Sequence, residues 1–429
     1  MKDSGVEWIG KIPEDWKLRK IKYILSERKE KNNPVVTENI LSLSIERGVF
    51  PYSEKTGGGN KAKDDLTAYK VARPNDIVIN SMNILAGAVG ISKYTGAVSP
   101  VYYTLYSSSD FVNVKYYYYL FMTETFQKSL LGLGNGIMMK ESANGKLNTI
   151  RMRISMDKLS SLYLPFPSKD TQNRIVKKIE GFIELIDSII SETQQSIDEL
   201  KKYKQALITE TVTKGLDKNA EMKDSGIEWI GKIPKTWDVK KVGNFYSQVK
   251  NKNLKLQESN LLSLSYGNII RRNINATDGL LPDNFAGYNI VKPQDIVLRM
   301  TDLQNDQVSL RTGIVKETGI ITSAYITIRK SESPSVDSRY IQLLLHSFDI
   351  NKGFYGMGSG VRQGVTFNDI KKIPIVVPCY GEQQDIVTFL ERKVSSIDEI
   401  IIEKQDLIAQ LIAYKQSLIY EYVTGKIEA

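Results

Sequence analysis

The chain has 429 residues, 41% of them hydrophobic and 25% charged, and a net charge of +9. At ~150 residues per domain, that length suggests two or three domains with room for sizeable cores. Its single cysteine (Cys379) and single histidine (His346) exclude an intrachain disulfide and a four-ligand Cys/His zinc site, and leave His346 as the only imidazole for nucleophilic chemistry.

The chain opens MKDSGVEWIGKIPEDW, and from Met222 it reads MKDSGIEWIGKIPKTW, identical at thirteen of sixteen positions. All four tryptophans (Trp8, Trp16, Trp229, Trp237) lie in this repeated opening. They are expected to pack each half onto its support rather than to touch a ligand. LSLS follows at Leu41–Ser44 and again at Leu262–Ser265, and Gly57–Gly58–Gly59 reads as a loop. VARPNDIVIN (Val71–Asn80) answers IVKPQDIVLR (Ile290–Arg299), each a turn signal leading into an apolar strand. VYYTL (Val101–Leu105) answers AYITI (Ala324–Ile328). YYYYLFMTETFQKSLL reads as one helix, and LLLHSF as a buried helix that makes His346 a satisfied core residue. The GNG loop at Gly134–Gly136 answers GSG at Gly358–Gly360.

Each half then changes texture. From Asp170 to Thr213 there is no proline and one glycine, Gly181. Apolar residues step by three and four through Ile175, Ile179, Phe182, Ile186 and Ile189, then Ile197, Leu200, Tyr203 and Leu207. The second copy repeats the rhythm from Ile386 to Leu418 and ends YKQSLIYEYVT against YKQALITETVT in the first. A 3.5-residue rhythm held this long predicts a coiled coil, with helices of roughly 65 Å at 1.5 Å per residue. Pro167 and Pro378 precede the helices, Asp170 is the expected N-cap, and Gly215 and Gly425 lie just past the ends. The expected fold class is α+β: two tandem mixed α/β heads (1–168 and 222–379), joined by two long antiparallel coiled-coil helices (169–215 and 380–425) with pseudo-two-fold symmetry.

Charge follows this division. The two helical segments carry −6 of the net +9, which leaves +15 on the rest of the chain. Two basic heads on an acidic rod suit a protein that grips a polyanion at two places. Arginine pairs with guanine and Asn or Gln with adenine, while lysine and backbone amides hold phosphate. In the second head the richest clusters are Arg271 and Arg272, Arg299, Arg311, and the GSGVRQG loop with Ser359, Arg362 and Gln363. The first head offers Arg47 in the matching hairpin, Asn80 and Asn83 where Arg299 and Thr301 fall, and Asn135 and Lys140 in the glycine loop. A common frame with different polar fillings is what two heads reading two different short sequences need.

Several chemistries are missing from the sequence. There is no G-x-x-x-x-G-K-[ST] phosphate loop and no G-x-G-x-x-G between a strand and a helix. No Asp/Asn–Pro–Pro–aromatic motif occurs; Asn33–Pro34–Val35–Val36 does not match it. Asp64–Asp65 reads as a solvated loop rather than a metal site. These absences weigh against a methyltransferase or nuclease acting alone. An architectural protein that binds DNA without sequence preference fits the charge but not the differing fillings.

The chain resembles the specificity subunits of type I restriction–modification enzymes. The resemblance rests on the doubled G-[VI]-E-W-I-G-K-I-P-x-x-W opening, the P-x-D-I-V signals, the G-x-G loops, the Pro–(five residues)–Gln helix entries (Pro167 to Gln172, Pro378 to Gln383) and the YKQ(A/S)LI ends. It spans essentially the whole chain and implies a non-catalytic subunit with two target-recognition domains. Each would read half of a split, asymmetric DNA site, and the helices would set the unread gap. Two modification (methyltransferase) subunits, bringing S-adenosylmethionine, and restriction subunits, using ATP and magnesium, are the implied partners. No cofactor is expected on this chain, and no segment reads as a membrane span or signal peptide, so a cytoplasmic location is expected.

Overall fold

A computed structural model describes residues 1–56, 65–137, 151–274, 284–301, 303, 310–332, 335–357 and 364–429. The chain forms two compact units, one of residues Met1–Thr193 with Asp406–Ala429, the other of Gln194–Gln405. Each contains a four-stranded antiparallel sheet of the same order. In the first unit it runs Ser26–Glu27, Tyr102–Tyr106, Ile77–Asn80, Val89–Ile91. In the second it runs Tyr246–Gln248, Ile326–Lys330, Ile296–Leu298, Thr312–Ile314. The central strands Ile77–Asn80 and Ile296–Leu298 are apolar on both faces because both faces are covered.

The P-x-D turns explain themselves in this frame. Asn75 and Gln294 take left-handed φ values of 68° and 72°. The aspartate that follows each is 1% exposed and accepts the backbone N–H three residues back, from Arg73 and Lys292, both at 2.8 Å. Each buried carboxylate is also clasped by an arginine, but from different segments: Asp76 by Arg28, just past the strand Ser26–Glu27 (2.7 and 2.9 Å), and Asp295 by Arg329 in the strand Ile326–Lys330 (2.7 and 2.6 Å). Forked, charge-assisted pairing of this kind satisfies a carboxylate that burial would otherwise penalise.

The aromatic run is two helices, Val114–Met122 and Glu124–Ser129, rather than one. Thr123 between them is extended (φ −70°, ψ 132°), and its hydroxyl accepts the Phe126 N–H as an N-cap. A threonine that can cap competes with the helix interior, and here the cap prevails.

The long helices span Lys169–Lys214 and Tyr380–Val423. Ser168, not Asp170, begins the first: its hydroxyl accepts the Thr171 N–H at 3.2 Å, while Asp170 sits in the first turn. The glutamines of the helix entries are fully buried. Gln172 accepts the Asn113 N–H (2.7 Å) and donates to the carbonyls of Phe111 (3.1 Å) and Pro167 (2.9 Å). Gln383 repeats the pattern with Asp337 N–H (2.8 Å) and the carbonyls of Ser335 (3.0 Å) and Pro378 (2.9 Å). Each glutamine ties the start of a long helix to the start of its head's own helix.

Within each unit, parts of the two long helices pack antiparallel. In the first, Ile175 and Ile179 share a core with Leu418, Ile419 and Val423, Phe182 stacks on Tyr422 (6.0 Å), and Asp187 meets Lys415 at 2.5 Å. In the second, Ile208 and Val212 share a core with Ile386, Val387 and Leu390, and Asp398 meets Lys204 at 2.5 Å. The apolar stripe is not buried throughout: Ile189 is 37% and Tyr203 57% exposed. A 3.5-residue pattern drifts around a 3.6-residue helix, which carries these two side chains outward.

The repeated opening is a docking base. Gly425 (φ 71°) leaves no room for a side chain: a Cβ there would fall 2.5 Å from Pro13 and 2.9 Å from the Trp16 ring. Gly215 (φ 79°) lies against Trp237, whose indole N–H donates to Glu382 at 3.0 Å. A lysine then ties each helix end to the opening turn, Lys426 to the Ile9 carbonyl (2.6 Å) and Lys214 to the Ile230 carbonyl (2.7 Å). Trp8 and Trp229 pack edge-on or tilted against Phe126 and Phe348.

Candidate nucleic-acid interface

In the first unit an open cleft of about 720 Å3 lies beside the LSLS hairpin. Arg47, Asn80 and Asn83 line it, together with Ser42, Tyr52 and Tyr102. Three residues singled out from sequence are thus brought to one cavity. Arg47 lies in the three-residue turn between strands Leu41–Ser44 and Gly48–Pro51, which Gly48 closes at φ 63°. Its guanidinium stacks 4.0 Å over Phe50 and bonds Glu54 at 2.5 Å. The Asn80 side-chain Oδ1 accepts the Met82 N–H (3.1 Å), which turns its amide NH2 away from that bond. Asn135 belongs to the strand Asn135–Ile137, and Lys140 lies outside the described residues.

The second unit has the same frame and different side chains. Its hairpin, Leu262–Ser265 with Asn268–Arg271, turns on two residues, Tyr266 and Gly267, both at positive φ (45° and 81°). One residue fewer in the turn means that Arg47 and Arg271 are not equivalent: Arg271 pairs with Leu262 at the far end of the ladder, where Pro51 pairs with Leu41. Arg271 is exposed and bonds Glu317 through Nε (2.7 Å) and Nη2; this pairing holds the Glu317 carboxyl below the usual range. Arg272 is exposed beside it. Arg299 does match Asn80, since its N–H bonds the Arg311 carbonyl (2.8 Å) as the Asn80 N–H bonds that of Ala88 (3.0 Å).

Arg311 itself corrects a sequence-based expectation. It is 0% exposed and does not reach solvent. Its Nη1 donates to the carbonyls of Arg299 (3.1 Å) and Thr301 (2.8 Å), and its Nε to the Tyr355 hydroxyl (3.2 Å). Five donors in a fixed fork suit a cluster of carbonyls, so Arg311 holds the 299–301 segment in place instead of reaching out. Ser359, Arg362 and Gln363, like Gly57–Gly58–Gly59 and Asp64, lie outside the described residues. Sequence reasoning missed the hairpin tips, where Ile45 is 55% and Tyr266 74% exposed. A tyrosine at a positive-φ turn position was the available signal, because Gly or Asn normally stands there.

His346 lies on the helix Ser338–Ile350 and does not line the cleft beside either hairpin. Burial, with a smaller push from Lys204, lowers its pKa to about 4. Its Nδ1 is buried with no hydrogen-bond partner among the described residues and the residue as a whole is half-buried, so it is not the satisfied core residue expected. Among the described residues no group of three or more His, Cys, Asp or Glu could hold a metal ion, and no helix is long and apolar enough to cross a membrane.

Comparison with known proteins agrees with this arrangement. Residues 13–201 match the family model of the type I restriction modification DNA specificity domain. Two curated relatives from Methanocaldococcus jannaschii align nearly end to end. The type I restriction enzyme MjaX specificity subunit is 24% identical over 98% of this chain and 95% of its own. The MjaVIII specificity subunit is 23% identical over 97% and 94%. Among solved structures, a chain from a study of complex assembly and conformational transition of the type I R-M system aligns with a TM-score of 0.69 at 12% identity, covering 97% of this chain and 100% of that one. The HsdS subunit from Thermoanaerobacter tengcongensis aligns with a TM-score of 0.55 at 13% identity, covering 97% and 98%. With the specificity domain matched over residues 13–201, its frame repeated in the second half, and curated specificity subunits aligned along the whole length, the chain is similar from end to end to the specificity subunits of type I restriction–modification systems.

Proposed function

We propose that the two units are two target-recognition domains that read the two halves of a split, asymmetric DNA site. The long helices act as the coiled-coil spacer that sets the unread gap, and they scaffold two modification subunits and the restriction subunits. S-adenosylmethionine, ATP and magnesium belong to those partners, and the complex works in the cytoplasm. One observation carries this reading: a shared frame holds different recognition-type side chains, Asn80 against Arg299 on the same strand-end hydrogen bond, and hairpin turns that differ in length, with Arg47 in one and Tyr266–Gly267 in the other. Two copies of one non-specific grip would have no need of that difference.

The test is selection of random duplexes by the chain bound to its modification subunit, followed by sequencing. A gapped, asymmetric consensus is expected. Asn80→Ala with Asn83→Ala should change one half-site only, and Arg271→Ala with Arg299→Ala the other. A featureless pool, with binding that only fades as salt rises, would sink the proposal.

A further inference from the structure

The internal duplication is its own control. Features needed by both heads recur in both units, so a surface built in one and dismantled in the other serves something the two heads do not share. One such surface lies where the strand Lys17–Lys20 pairs with Tyr163–Phe166. Its counterpart, Asp238–Lys241 with Pro374–Val377, has the same antiparallel register, Lys20 opposite Tyr163 and Lys241 opposite Pro374.

In the first unit this surface is basic and aromatic. Arg19 lies 4.1 Å over the Phe166 ring, Lys20 5.3 Å over Tyr163, and Lys22 5.0 Å over Tyr23. Tyr23 is 67% and Tyr163 46% exposed. Arg19, Lys20, Tyr23 and Tyr163 line an open concavity of about 590 Å3. Among the described residues none of Lys17, Arg19, Lys20 and Lys22 is in an ion pair. In the second unit Asp238 stands for Lys17, Gly243 for Lys22, Asn244 for Tyr23 and Pro374 for Tyr163. The remaining Lys240 is paired with Asp238 at 3.6 Å. At these strand positions four cations without a carboxylate become two with one, and Lys371 packs into the space beside Gly243.

We infer that this patch of the first unit is a second, sequence-independent DNA contact, which grips the phosphate backbone outside the half-sites. The rings lie against the cations while Arg19 and Lys22 remain exposed, an arrangement suited to phosphate oxygens. Its Arg19 guanidinium is stacked on Phe166, and the other cations are lysines, which hold phosphate, so the patch adds affinity and fixes orientation without adding sequence. Because only one unit has it, it breaks the equivalence of the two ends of the bound duplex. The identity of the polyanion as DNA rests on the function proposed above.

The experiment measures affinity for the selected duplex against salt, with the full chain alone and in complex with its modification subunit. The first variant, K17D/K22G/Y23N, installs the residues that the second unit carries on the same frame. The second, R19Q/K22Q, keeps the stems and removes the charge. Each lost phosphate contact should shorten the slope of log K against log salt by about 0.9, and should weaken binding about fivefold at 0.15 M salt. Two lost contacts therefore give a slope shorter by about 1.8 and binding about 30-fold weaker, with the selected consensus unchanged. Wild-type slope and affinity in both variants would overturn the inference. So would a loss seen only when the modification subunit is present, which would make the patch a protein-docking surface. Collapse of the wild-type consensus would strike the recognition reading instead, and is read from sequencing rather than from the salt slope.

Discussion

Replacing Gln172 with alanine tests how a head is held to its helix. The side chain is fully buried and makes three hydrogen bonds to backbone, at 2.7 Å from the Asn113 N–H and at 3.1 and 2.9 Å to the Phe111 and Pro167 carbonyls. At about 1 kcal/mol net for each bond, the variant loses about 3 kcal/mol, before any cavity cost. For a unit of this size, about 2–4 °C is expected per kcal/mol, so its melting transition should fall by about 6–12 °C. Calorimetry of the full chain should show the fall in one transition only, and Gln383→Ala should lower the other. Hydrogen exchange localises the effect: the Asn113 amide loses its acceptor and should exchange faster, while the Asp337 amide should not change. Gln172→Glu keeps an acceptor for Asn113 but loses both donations, so its melting should fall at least as far while Asn113 stays protected. A melting shift under about 2 °C together with an unchanged Asn113 amide would refute the reasoning.

Arg311→Met should cost about 2–4 kcal/mol by stranding the carbonyls of Arg299 and Thr301, measured by urea unfolding, and should blur one half-site of the selected consensus. Unaltered stability would mean that those carbonyls find other donors. His346 gives a pH signature. Its folded pKa is about 4 against an ordinary 6.5, so between those values the unfolded chain binds more protons and stability falls as pH drops. The full loss below pH 4 is about 3 kcal/mol, and His346→Leu should flatten that part of the stability–pH curve in denaturant titrations.

Much of this was legible in the sequence because the chain states it twice. The doubled opening, the glycines past the helix ends and the Pro–(five)–Gln entries each turned out to be one local device, built from residues close in sequence or tied to a helix end. What could not be read was which segment supplies a partner. Asp76 and Asp295 announce themselves in P-x-D, yet one takes its arginine from Arg28, just past the strand Ser26–Glu27, and the other from Arg329 within Ile326–Lys330, which are not equivalent segments. Arg311 looked like a surface cation because composition says nothing about a nearby cluster of carbonyls. The break at Thr123 was hidden inside a strongly apolar run, where capping chemistry outweighed the pattern. The site was legible to the extent that Arg47, Asn80 and Asn83 meet in one cleft, while the residues in the glycine loops lie largely outside the described chain.

The hydrogen bond from the Tyr116 hydroxyl to the Val423 carbonyl joins residues 307 positions apart. It sets an order of events during synthesis. The second unit is one uninterrupted stretch, Gln194–Gln405, and can close as soon as it has left the ribosome. The first unit needs Asp406–Ala429, which emerges after the second unit, although its own sheet is made before it. Until then Ile175, Ile179 and Tyr116 lack the Leu418, Ile419 and Val423 side chains that cover them. A unit begun before the second is thus completed after it, and for that interval the nascent chain carries an open apolar face that chaperones can engage.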